Sequence, residues 1–538
     1  MYFLKKRLPA LMLALVMLFS LAACGKDEEE DTPTEEEEWY VGDQVVELSS
    51  AADNVFSVNY DSSANINPFT AKNATNTLFW SLMYDGLFNV QNNFTVTSEI
   101  VTEYTSSDYS WWVFDIRNDI MFSDGTPLTA KDIVYSINRA RQYEYYMGRL
   151  DCIYGISAMG DDCFAISLAE PNSQLPALLN IPIIKEGTLN DAIPLGSGPY
   201  MMGESGDKLV VNEYYRHASK LPVEEVYLKD YKDTASKISA FEASLVDIVT
   251  NDPTGMFNLG YGSSNEVRYC ETTNMHYLGF NFSGRYFNNA LARLAVGSAV
   301  DKAGIVEEFM ANYVVVADLP VHPASALYNH DIAEGYGYDA EKSEVLFQNS
   351  GVKDYDSDGV LEVMITGIVV EIDIKFIVNT DSTVKLEAAR EIAETLNDMG
   401  IKVTLYELGW DDYIDALEKG DYDMYYGEVR MTPDWDLSSL FKPYTVTRDP
   451  DDMNKGMNYA NCFDEQYGNL YAAYLAAGEE GRKLAYNELL NYLMGEGAIV
   501  PLWFERQQVL THRGVVSGIS ATMYDVFNRF YEWKITLE

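Results

Sequence analysis

The segment KFIVNTDSTVKLEAAREIAETLNDMGIKVTL, residues 375–405, contains the pattern that decides the fold class. Its first residues predict a strand, and Asp381 or Ser382 can cap the helix that follows. Gly400 stands where a glycine commonly ends a helix, and the last five residues alternate as a second strand. The helix has an apolar stripe of Leu386, Ala389, Ala393, Leu396 and Met399. A strand–helix–strand unit implies a parallel sheet, so we expect an α/β fold.

Similar elements occur earlier in the chain. Residues 55–60 and 111–116 predict strands, and residues 76–87 predict a helix. Another helix should begin at Thr129, because Asp132 stands three residues later and can complete a capping box. The chain of 538 residues is too long for one hydrophobic core, so two or three domains are expected.

Six short motifs are spread along the chain. They are YDGL at 84–87, FSDGTPLTAKDIVYS at 122–136, GSGPY at 196–200, YLGFN at 277–281 with Arg293 and VDK at 300–302 beyond it, YDM at 422–424 followed by DWD at 434–436, and VPL at 500–502. In this order they resemble the family 5 extracellular solute-binding proteins of ABC transporters, the oligopeptide-, dipeptide- and nickel-binding group. The resemblance covers roughly residues 50–538.

The resemblance implies a two-lobed clamp of the periplasmic-binding-protein type, with an extra domain on the first lobe. The first lobe would be discontinuous, because two crossovers join the lobes, and closure would be a hinge motion around the ligand. The expected boundaries are residues 50–88, 194–285 and 512–538 for the first lobe, 89–193 for the extra domain and 286–511 for the second lobe.

The resemblance also places a ligand site around DWD at 434–436. Peptide binders of this family meet the peptide's α-amino group with an acidic residue, and Asp434 falls at that position. Such a charge-assisted hydrogen bond contributes about 1.5–3 kcal/mol. The preceding residues depart from the family pattern, so Asp436 is the alternative, and Asp434 could instead cap its own loop. Trp435 could line a side-chain pocket or pack in the core, and Arg430 could meet a ligand carboxylate or pair with Glu428.

Other positions match the cleft edges of the first lobe by the same resemblance. An ordinary turn or core role is an equally good interpretation of each. They are Ser63, Ala64, Asn65, Asn251, Asn274 and Tyr524.

The N-terminus predicts export. Basic residues at 5–7 precede an uncharged apolar stretch at 8–23, which is typical of a signal peptide and short for a membrane span. LAACG at 21–25 resembles a bacterial lipobox, which implies lipidation of Cys24 after removal of residues 1–23. Residues 24–49 would form an acidic, disordered tether on the outer face of the membrane, since nine of the twelve residues at 27–38 are acidic.

Composition narrows the possible partners. The net charge is −45, and removing the three basic residues of the leader makes it −48. Nucleic acid is therefore excluded as a partner, because its binding depends on Lys and Arg neutralising phosphates. The expected partners are a short peptide, the permease subunits implied by the resemblance, and the membrane through the lipid anchor; the protein should be a monomer without a cofactor.

The remaining motifs are the cysteines and one stretch that begins like a calcium-binding loop. Export permits disulfides, and Cys152 and Cys163 flank a plausible hairpin turn, so they are the expected pair, with Cys270 and Cys462 remaining. Residues 354–359 begin like an EF-hand loop, but position 12 is Ile365 instead of glutamate. We therefore interpret this segment as a surface turn.

Several rival functions remain. A hydrolase is disfavoured, because neither G-x-S-x-G nor H-E-x-x-H occurs and the five histidines are scattered. A binder of nickel or a metal chelate would need His276 or His330 near the cleft. A sugar binder, or a component that reports its ligand to a receptor instead of a transporter, stays open.

Overall fold

The computed structural model describes residues 54–255, 258–262, 265–441, 457–460 and 465–537. All of them belong to one compact unit, Leu48–Glu538. The predicted signal peptide, Cys24, the acidic tether and Cys462 lie outside the described residues. Within the described part of the chain, no helix has both the length and the apolar composition to cross a bilayer.

The strands alternate with helices along most of the chain. They are β1 (Ser57–Tyr60), β2 (Asn89–Val90), β3 (Val96–Thr97), β4 (Val101–Ser106), β5 (Trp111–Ile116), β6 (Ile153–Ala158), β7 (Cys163–Leu168), β8 (Tyr200–Met202), β9 (Lys208–Val211), β10 (Glu225–Asp230), β11 (Ile248–Asn251), β12 (Glu266–Phe280), β13 (Val314–Val316), β14 (Val352–Lys353), β15 (Glu362–Ile365), β16 (Ile368–Glu371), β17 (Asp373–Asn379), β18 (Lys402–Leu408), β19 (Met424–Arg430), β20 (Val500–Thr511), β21 (Val516–Ser517) and β22 (Lys534–Ile535).

The α-helices range from a single turn to almost five turns. They are α1 (Ala74–Thr77), α2 (Trp80–Met83), α3 (Ala130–Ala140), α4 (Glu144–Leu150), α5 (Leu175–Leu178), α6 (Thr234–Glu242), α7 (Ala290–Ala299), α8 (Lys302–Phe309), α9 (His330–Ala333), α10 (Ala340–Ser350), α11 (Thr383–Asp398), α12 (Trp410–Lys419), α13 (Ser438–Phe441), α14 (Glu465–Ala476) and α15 (Glu479–Gly495). Short 3₁₀ turns occur at Ala218–Lys220, Ala311–Tyr313 and Phe530–Glu532.

One mixed sheet of eleven strands runs through the molecule, in the order β18-β17-β19-β12-β20-β11-β1-β10-β9-β8, with β13 beside β20. The pairs β17–β18, β17–β19, β1–β10 and β1–β11 are parallel. A separate antiparallel sheet, β4-β5-β7-β6, lies within the segment predicted to be the extra domain. The mixture of parallel strands and helices confirms the α/β fold class.

The predicted strand–helix–strand unit is β17–α11–β18. Its two strands pair in parallel along their whole length, from Asp373 opposite Lys402 to Asn379 opposite Leu408. Ser382 is the residue that caps α11, accepting a hydrogen bond from the backbone of Lys385. The chain leaves this helix through Gly400 at φ +85°, a left-handed conformation that glycine adopts without strain.

Two long strands connect separate hydrophobic cores. The first core, around β1, β5 and β7, includes Cys270 of β12 and Val509 of β20. The second core, around β17 and α11, includes Leu278 and Leu502 of the same two strands. A third core lies beneath α14 and α15 and includes Met275 of β12. We call the intervening parts of β12 and β20 the crossing segments, residues 271–276 and 503–507.

The prediction of one helix over residues 76–87 is wrong. The chain forms two short helices there, α1 and α2, and the second ends four residues earlier than predicted. The second helix stops at Met83, because its carbonyl oxygen accepts a hydrogen bond from Gly198 and the next residue, Tyr84, is extended. The capping box of α3 is confirmed, with the backbone N–H of Thr129 donating to Asp132 at 2.8 Å.

The expected Cys152–Cys163 disulfide is also wrong. Both thiols are free, as is that of Cys270. Cys163 begins β7, whereas Cys152 stands next to Ile153, which pairs with Leu168 at the other end of the same hairpin. Five intervening residues of strand separate the two cysteines by about 17 Å, far beyond disulfide reach.

Candidate ligand-binding site

The crossing segments bring polar side chains together between the cores. The pairing of β12 with β20 is irregular between Glu271 and Met275, where a bulge interrupts the ladder. Such a bulge redirects side chains, and here Asn274 reaches Glu505 on the neighbouring strand, with 2.7 Å between amide nitrogen and carboxylate oxygen. Glu505 thus lies at the centre of the crossing.

Glu505 is held by hydrogen bonds from three segments. His276 lies 2.8 Å away through Nε2, and the Thr254 hydroxyl donates at 3.1 Å. Burial disfavours the charged carboxylate, but the hydrogen bonds from His276, Asn274 and Thr254 outweigh it and lower the pKa of Glu505 to about 2. The crossing therefore contains a fixed negative charge.

His276 is enclosed by the same network. Its Nδ1 lies 2.8 Å from the Tyr426 hydroxyl, so both ring nitrogens have protein partners. Burial lowers the pKa of His276, yet Glu428 and Glu505 raise it above its usual value overall. Although His276, Glu428 and Glu505 are close enough together to hold a metal ion, the imidazole would first have to give up these contacts. His330 is on α9 and packs edge-on against Tyr328, and it lines neither pocket described below.

A small cavity of about 110 Å³ opens beside Glu505. We call it the inner pocket, and it combines the loop after β11, both crossing segments and the end of β19. Its lining residues are Asp252, Thr272, Asn274, Arg430, Glu505, Arg506, Gln507 and Met523.

A larger cavity of about 400 Å³ adjoins it. This outer pocket shares Arg430, Gln507 and Met523 with the inner pocket, so the two cavities are adjacent. Its wall includes the aromatic rings of Trp80 and Tyr145. The lining residues come from both predicted lobes and from the segment predicted to be the extra domain.

Two guanidinium groups, those of Arg149 and Arg430, line the outer pocket together with Lys72. The guanidinium of Arg430 is exposed and makes no hydrogen bond or ion pair with another described residue. Glu428, the alternative partner considered from sequence, pairs with Lys385. Arg149 donates to the carbonyl of Asn180, while its buried Nε finds no acceptor within the described chain. The pocket therefore offers positive charge to an anionic ligand group.

The DWD segment lies outside both pockets. Asp434 is 4% exposed and accepts hydrogen bonds from Thr432 and Tyr471, and burial together with Asp436 raises its pKa to about 6. Trp435 packs edge-on against Phe94 with ring centroids 4.8 Å apart.

Asp436 lies two residues before the short helix α13. It accepts a hydrogen bond from the backbone of Ser438 at 2.7 Å. The three predicted site residues Asp434, Trp435 and Asp436 are thus engaged by their own surroundings in this structure, and a ligand role for them stays a prediction.

The remaining predicted positions do not all lie together. Asn274 lines the inner pocket and Tyr524 the outer one. Asn251 is buried beside them and donates to Gln508 at 2.9 Å. Ala64 and Asn65 line a separate cavity of about 560 Å³. Their neighbour Ser63 is exposed and donates to Asp61.

The pocket residues that sequence reasoning missed include Asp252, Arg149, Glu505 and Gln507. Asp252 follows Asn251 in a turn-forming Asn-Asp-Pro stretch, so that motif could have indicated it. Arg149, Glu505 and Gln507 stand in segments without a local motif. Glu505 and Gln507 reach the inner pocket through the pairing of β20 with both β11 and β12, whereas Arg149 reaches the outer pocket from α4. No pattern within one segment reveals these contacts.

The acidic turn at residues 354–359 has a fourth carboxylate that the sequence analysis did not consider. Asp354, Asp356, Asp358 and Glu362 bring oxygen atoms within 4.8 Å of one another. The Asp354 carboxylate already accepts backbone hydrogen bonds from Ser357, Asp358 and Gly359, which close the turn.

Comparison with known proteins supports the architecture. The chain is 24% identical over 367 residues to the oligopeptide-binding protein AppA of Bacillus subtilis, covering 64% of this chain and 66% of AppA, just under two thirds of its length. It is 21% identical over 456 residues to the nickel-binding periplasmic protein of Escherichia coli, covering 80% and 85% of the two chains.

A solved structure shows the same fold. The ABC transporter substrate-binding protein CtaP of Listeria monocytogenes superposes with a TM-score of 0.70 at 16% identity, over 90% of this chain and 99% of that one. Related structures are two-lobed clamps, and this chain has that fold.

The family model of bacterial extracellular solute-binding proteins, family 5 Middle, matches residues 95–449. This match covers well over half of the chain and confirms the resemblance drawn from the six motifs. Its relatives are binding proteins of ABC importers and are exported to the periplasm or the cell surface. The chain belongs to the family 5 extracellular solute-binding proteins and is the substrate-binding component of an ABC importer.

Proposed function

We propose that this protein captures short peptides in the combined inner and outer pockets and delivers them to a membrane permease. The observation that carries the proposal is the pair of adjacent cavities, with the guanidinium of Arg430, which has no ion-pair partner among the described residues, bordering both. A ligand held there can present an anionic group to Arg430 while its remainder fills the two cavities.

The walls of the outer pocket suit peptide side chains. Trp80, Tyr145 and Tyr524 offer large apolar faces with polar tips, which tolerate varied ligand groups. The volume of about 400 Å³ lies in the range typical of small-ligand sites, so the proposed ligands are short. Arg149 and Arg430 supply fixed donors for a carboxylate or for peptide carbonyl oxygens.

A metal chelate is the second candidate. The relatives include a nickel-binding protein, and the two guanidinium groups of the outer pocket would suit an anionic chelate as well as a peptide carboxylate. Direct capture of nickel by His276 is less favoured, because its ring nitrogens bond to Tyr426 and Glu505.

The membrane arrangement is also part of the proposal. Lipidated Cys24 would anchor the protein firmly, since more than one acyl chain holds a protein stably at a bilayer. The acidic segment at 27–38 would keep the clamp away from an anionic membrane surface while it searches for ligand. We expect a monomer that meets its permease through the folded lobes.

Calorimetric titration discriminates among these ligands. The protein lacking residues 1–24 is titrated with a pool of di- to pentapeptides, with a nickel–histidine chelate, with an iron–EDTA chelate and with a disaccharide. The proposal predicts saturable heat with the peptide pool alone. Saturable binding of a chelate or the sugar, without peptide binding, would contradict it.

A further inference from the structure

We propose that the segment predicted to be the extra domain forms a latch, which stabilises the closed state of the clamp through contacts with the predicted second lobe. The latch consists of the tip of the β2–β3 hairpin at Phe94, the turn between β4 and β5 at Tyr109, and the loop after β7 at residues 172–174. The inference goes beyond ligand capture, because it concerns how firmly the clamp closes, whatever ligand it holds.

The loop after β7 is hydrogen-bonded to two helices of the predicted second lobe. The backbone N–H of Ser173 donates to the carbonyl of Leu475 in α14 at 2.7 Å. The guanidinium of Arg482 in α15 donates to the hydroxyl and to the carbonyl of Ser173, at 3.3 and 3.4 Å. Ser173 is only 5% exposed, so water competes little for these bonds.

Asn172 extends the same loop to the DWD segment. Its side-chain oxygen accepts from the backbone of Gln174 at 2.7 Å, which leaves its amide nitrogen for a hydrogen bond to the Asp434 carboxylate. Its own backbone N–H donates to the carbonyl of Tyr109 at 2.9 Å. The turn between β4 and β5 and the loop after β7 therefore approach the second lobe as one unit.

Phe94 makes a separate, apolar contact with the predicted second lobe. Its ring lies edge-on to Trp435, with centroids 4.8 Å apart, and 5.0 Å from the ring of His322. The ring packs against the third core, which lies beneath α14 and α15. An open clamp would lose this contact and return apolar surface to water, so the contact favours closure.

The backbone at the latch is strained. Nine non-glycine residues of the described chain have positive φ, and the aromatic ones among them are Phe94 at +62°, Tyr109 at +58° and Trp435 at +59°. All three lie at this contact, since the Tyr109 hydroxyl faces Gly478, where a Cβ atom would be 2.6 Å from it. Bulky residues rarely adopt this conformation, and it persists where surrounding contacts compensate its cost. Here the compensating contacts are those of the closed clamp.

The consequence is a closed state that depends less on ligand. A ligand that binds the closed clamp must supply the free energy of closure, so each contact of the latch lowers the ligand concentration that is needed. None of the latch residues lines the inner or the outer pocket. The latch can therefore set affinity and release without touching the ligand.

Hydrogen exchange at one amide tests the latch directly. The backbone N–H of Ser173 is protected by its bond to Leu475, so its exchange rate reports the open fraction. Full-length protein in mild detergent, freed of carried ligand by reversible unfolding, is transferred to deuterated buffer, and electron-transfer fragmentation in the mass spectrometer resolves this amide. We expect slow exchange in wild type. Exchange as fast as in the unfolded chain would overturn the inference.

Two variants weaken the latch at separate places. Arg482→Gln removes the guanidinium contacts with Ser173 and should speed exchange of this amide by about threefold or more, the effect of losing hydrogen bonds to a charged group. Phe94→Ala removes the ring partner of Trp435 and should speed the same amide by a similar factor. This second effect distinguishes a latch between lobes from a local loop contact. If Phe94→Ala leaves the Ser173 amide unchanged, the inference is overturned.

Lys483→Gln and Tyr154→Ala are the matched controls. Lys483 is the exposed neighbour of Arg482 on α15, and Tyr154 is an exposed aromatic residue of β6. Both controls should leave the Ser173 amide at the wild-type rate. Equal acceleration by a latch variant and its control would contradict the latch, because it would show a general effect of charge or side-chain size.

The pool of di- to pentapeptides extends the test to binding. Saturating pool should slow the Ser173 amide in every variant, and Arg482→Gln and Phe94→Ala should need about threefold more peptide or greater for half of this effect. Equal requirements in wild type and both variants would overturn the inference. A pool that changes nothing in any protein rejects the peptide function, and the ligand-free comparison then decides the latch by itself.

Discussion

At the scale of single residues, the pockets are distinguished by groups that lack protein partners. Arg430 is the clearest example, because its guanidinium is exposed at the junction of both pockets and pairs with no described residue. The sequence left it undecided between a ligand carboxylate and Glu428. The structure favours the first role, since Lys385 already pairs with Glu428.

We predict that Arg430→Gln weakens binding of peptides with a free carboxyl terminus by about tenfold or more, as expected for the loss of a charge-assisted bond. Calorimetry with free and C-terminally amidated versions of one peptide measures the effect. Amidated peptide should bind wild type and variant alike. Arg513→Gln, which removes an exposed charge elsewhere, is the control, and equal losses in both variants would show only a net-charge effect.

Asp434 gives a prediction about stability. Its pKa is raised from 3.8 to about 6 in the folded protein, so the folded state binds more protons than the unfolded state between these values. Stability should therefore fall as pH rises from about 4 to about 6, by on the order of 2–3 kcal/mol. Asp434→Asn removes this dependence.

Thermal unfolding of both proteins across pH 4 to 8 measures that difference. The variant should gain melting temperature over wild type as pH rises, whereas Asp412→Asn, an exposed control on α12, should not. A constant difference between wild type and Asp434→Asn across this range would refute the buried-carboxylate interpretation.

At the scale of elements, sequence patterns correctly predicted the features that depend only on residues close together in the chain. The unit β17–α11–β18 and the capping box of α3 follow from periodicity and caps within one segment. The prediction of one helix over residues 76–87 was wrong, because the backbone N–H of the distant Gly198 donates a hydrogen bond to the Met83 carbonyl, where the helix ends. The prediction of a Cys152–Cys163 disulfide was wrong, because the sequence indicated the hairpin turn but not which residues of its two strands lie opposite each other.

Gly198 provides the prediction at this scale. A Cβ atom there would lie 2.5 Å from the Met83 carbonyl carbon and 2.7 Å from the Tyr84 nitrogen, both of them backbone atoms that cannot easily move. Gly198→Ala should destabilise the protein by about 1–3 kcal/mol, the usual cost of overpacking.

Differential scanning calorimetry compares this variant with Gly481→Ala. Gly481 lies within α15 with open space around it, so alanine there should be neutral or stabilising by up to about 1 kcal/mol. Similar melting temperatures for both variants would mean that the contact between residues 196–200 and α2 is not needed.

At the scale of the whole molecule, the fold is a clamp whose cores are connected by β12 and β20. The family and fold class could be predicted from motifs spread along the chain. Asn274 was predicted by the same resemblance, but Asp252 and Gln507 could not be predicted, because they come from separate segments that meet only in the mixed sheet. The DWD segment was found by motif, yet its contacts depend on packing against Tyr471 of α14.

Closure around ligand is the expected motion of such a clamp. Small-angle X-ray scattering should show a smaller radius of gyration when the peptide pool is added to ligand-free protein. Arg430→Gln should need more peptide to reach the same compact state. An unchanged radius at saturating peptide would contradict a hinge motion.

The central claim, capture of short peptides between the lobes, is tested most directly by identifying what the protein carries when it is purified. The protein lacking residues 1–24 is isolated from its exporting host, denatured, and the released molecules are analysed by mass spectrometry. We predict a mixture of short peptides, reduced in material isolated with Arg430→Gln. A sugar, a metal or a metal chelate in place of peptides would contradict the claim.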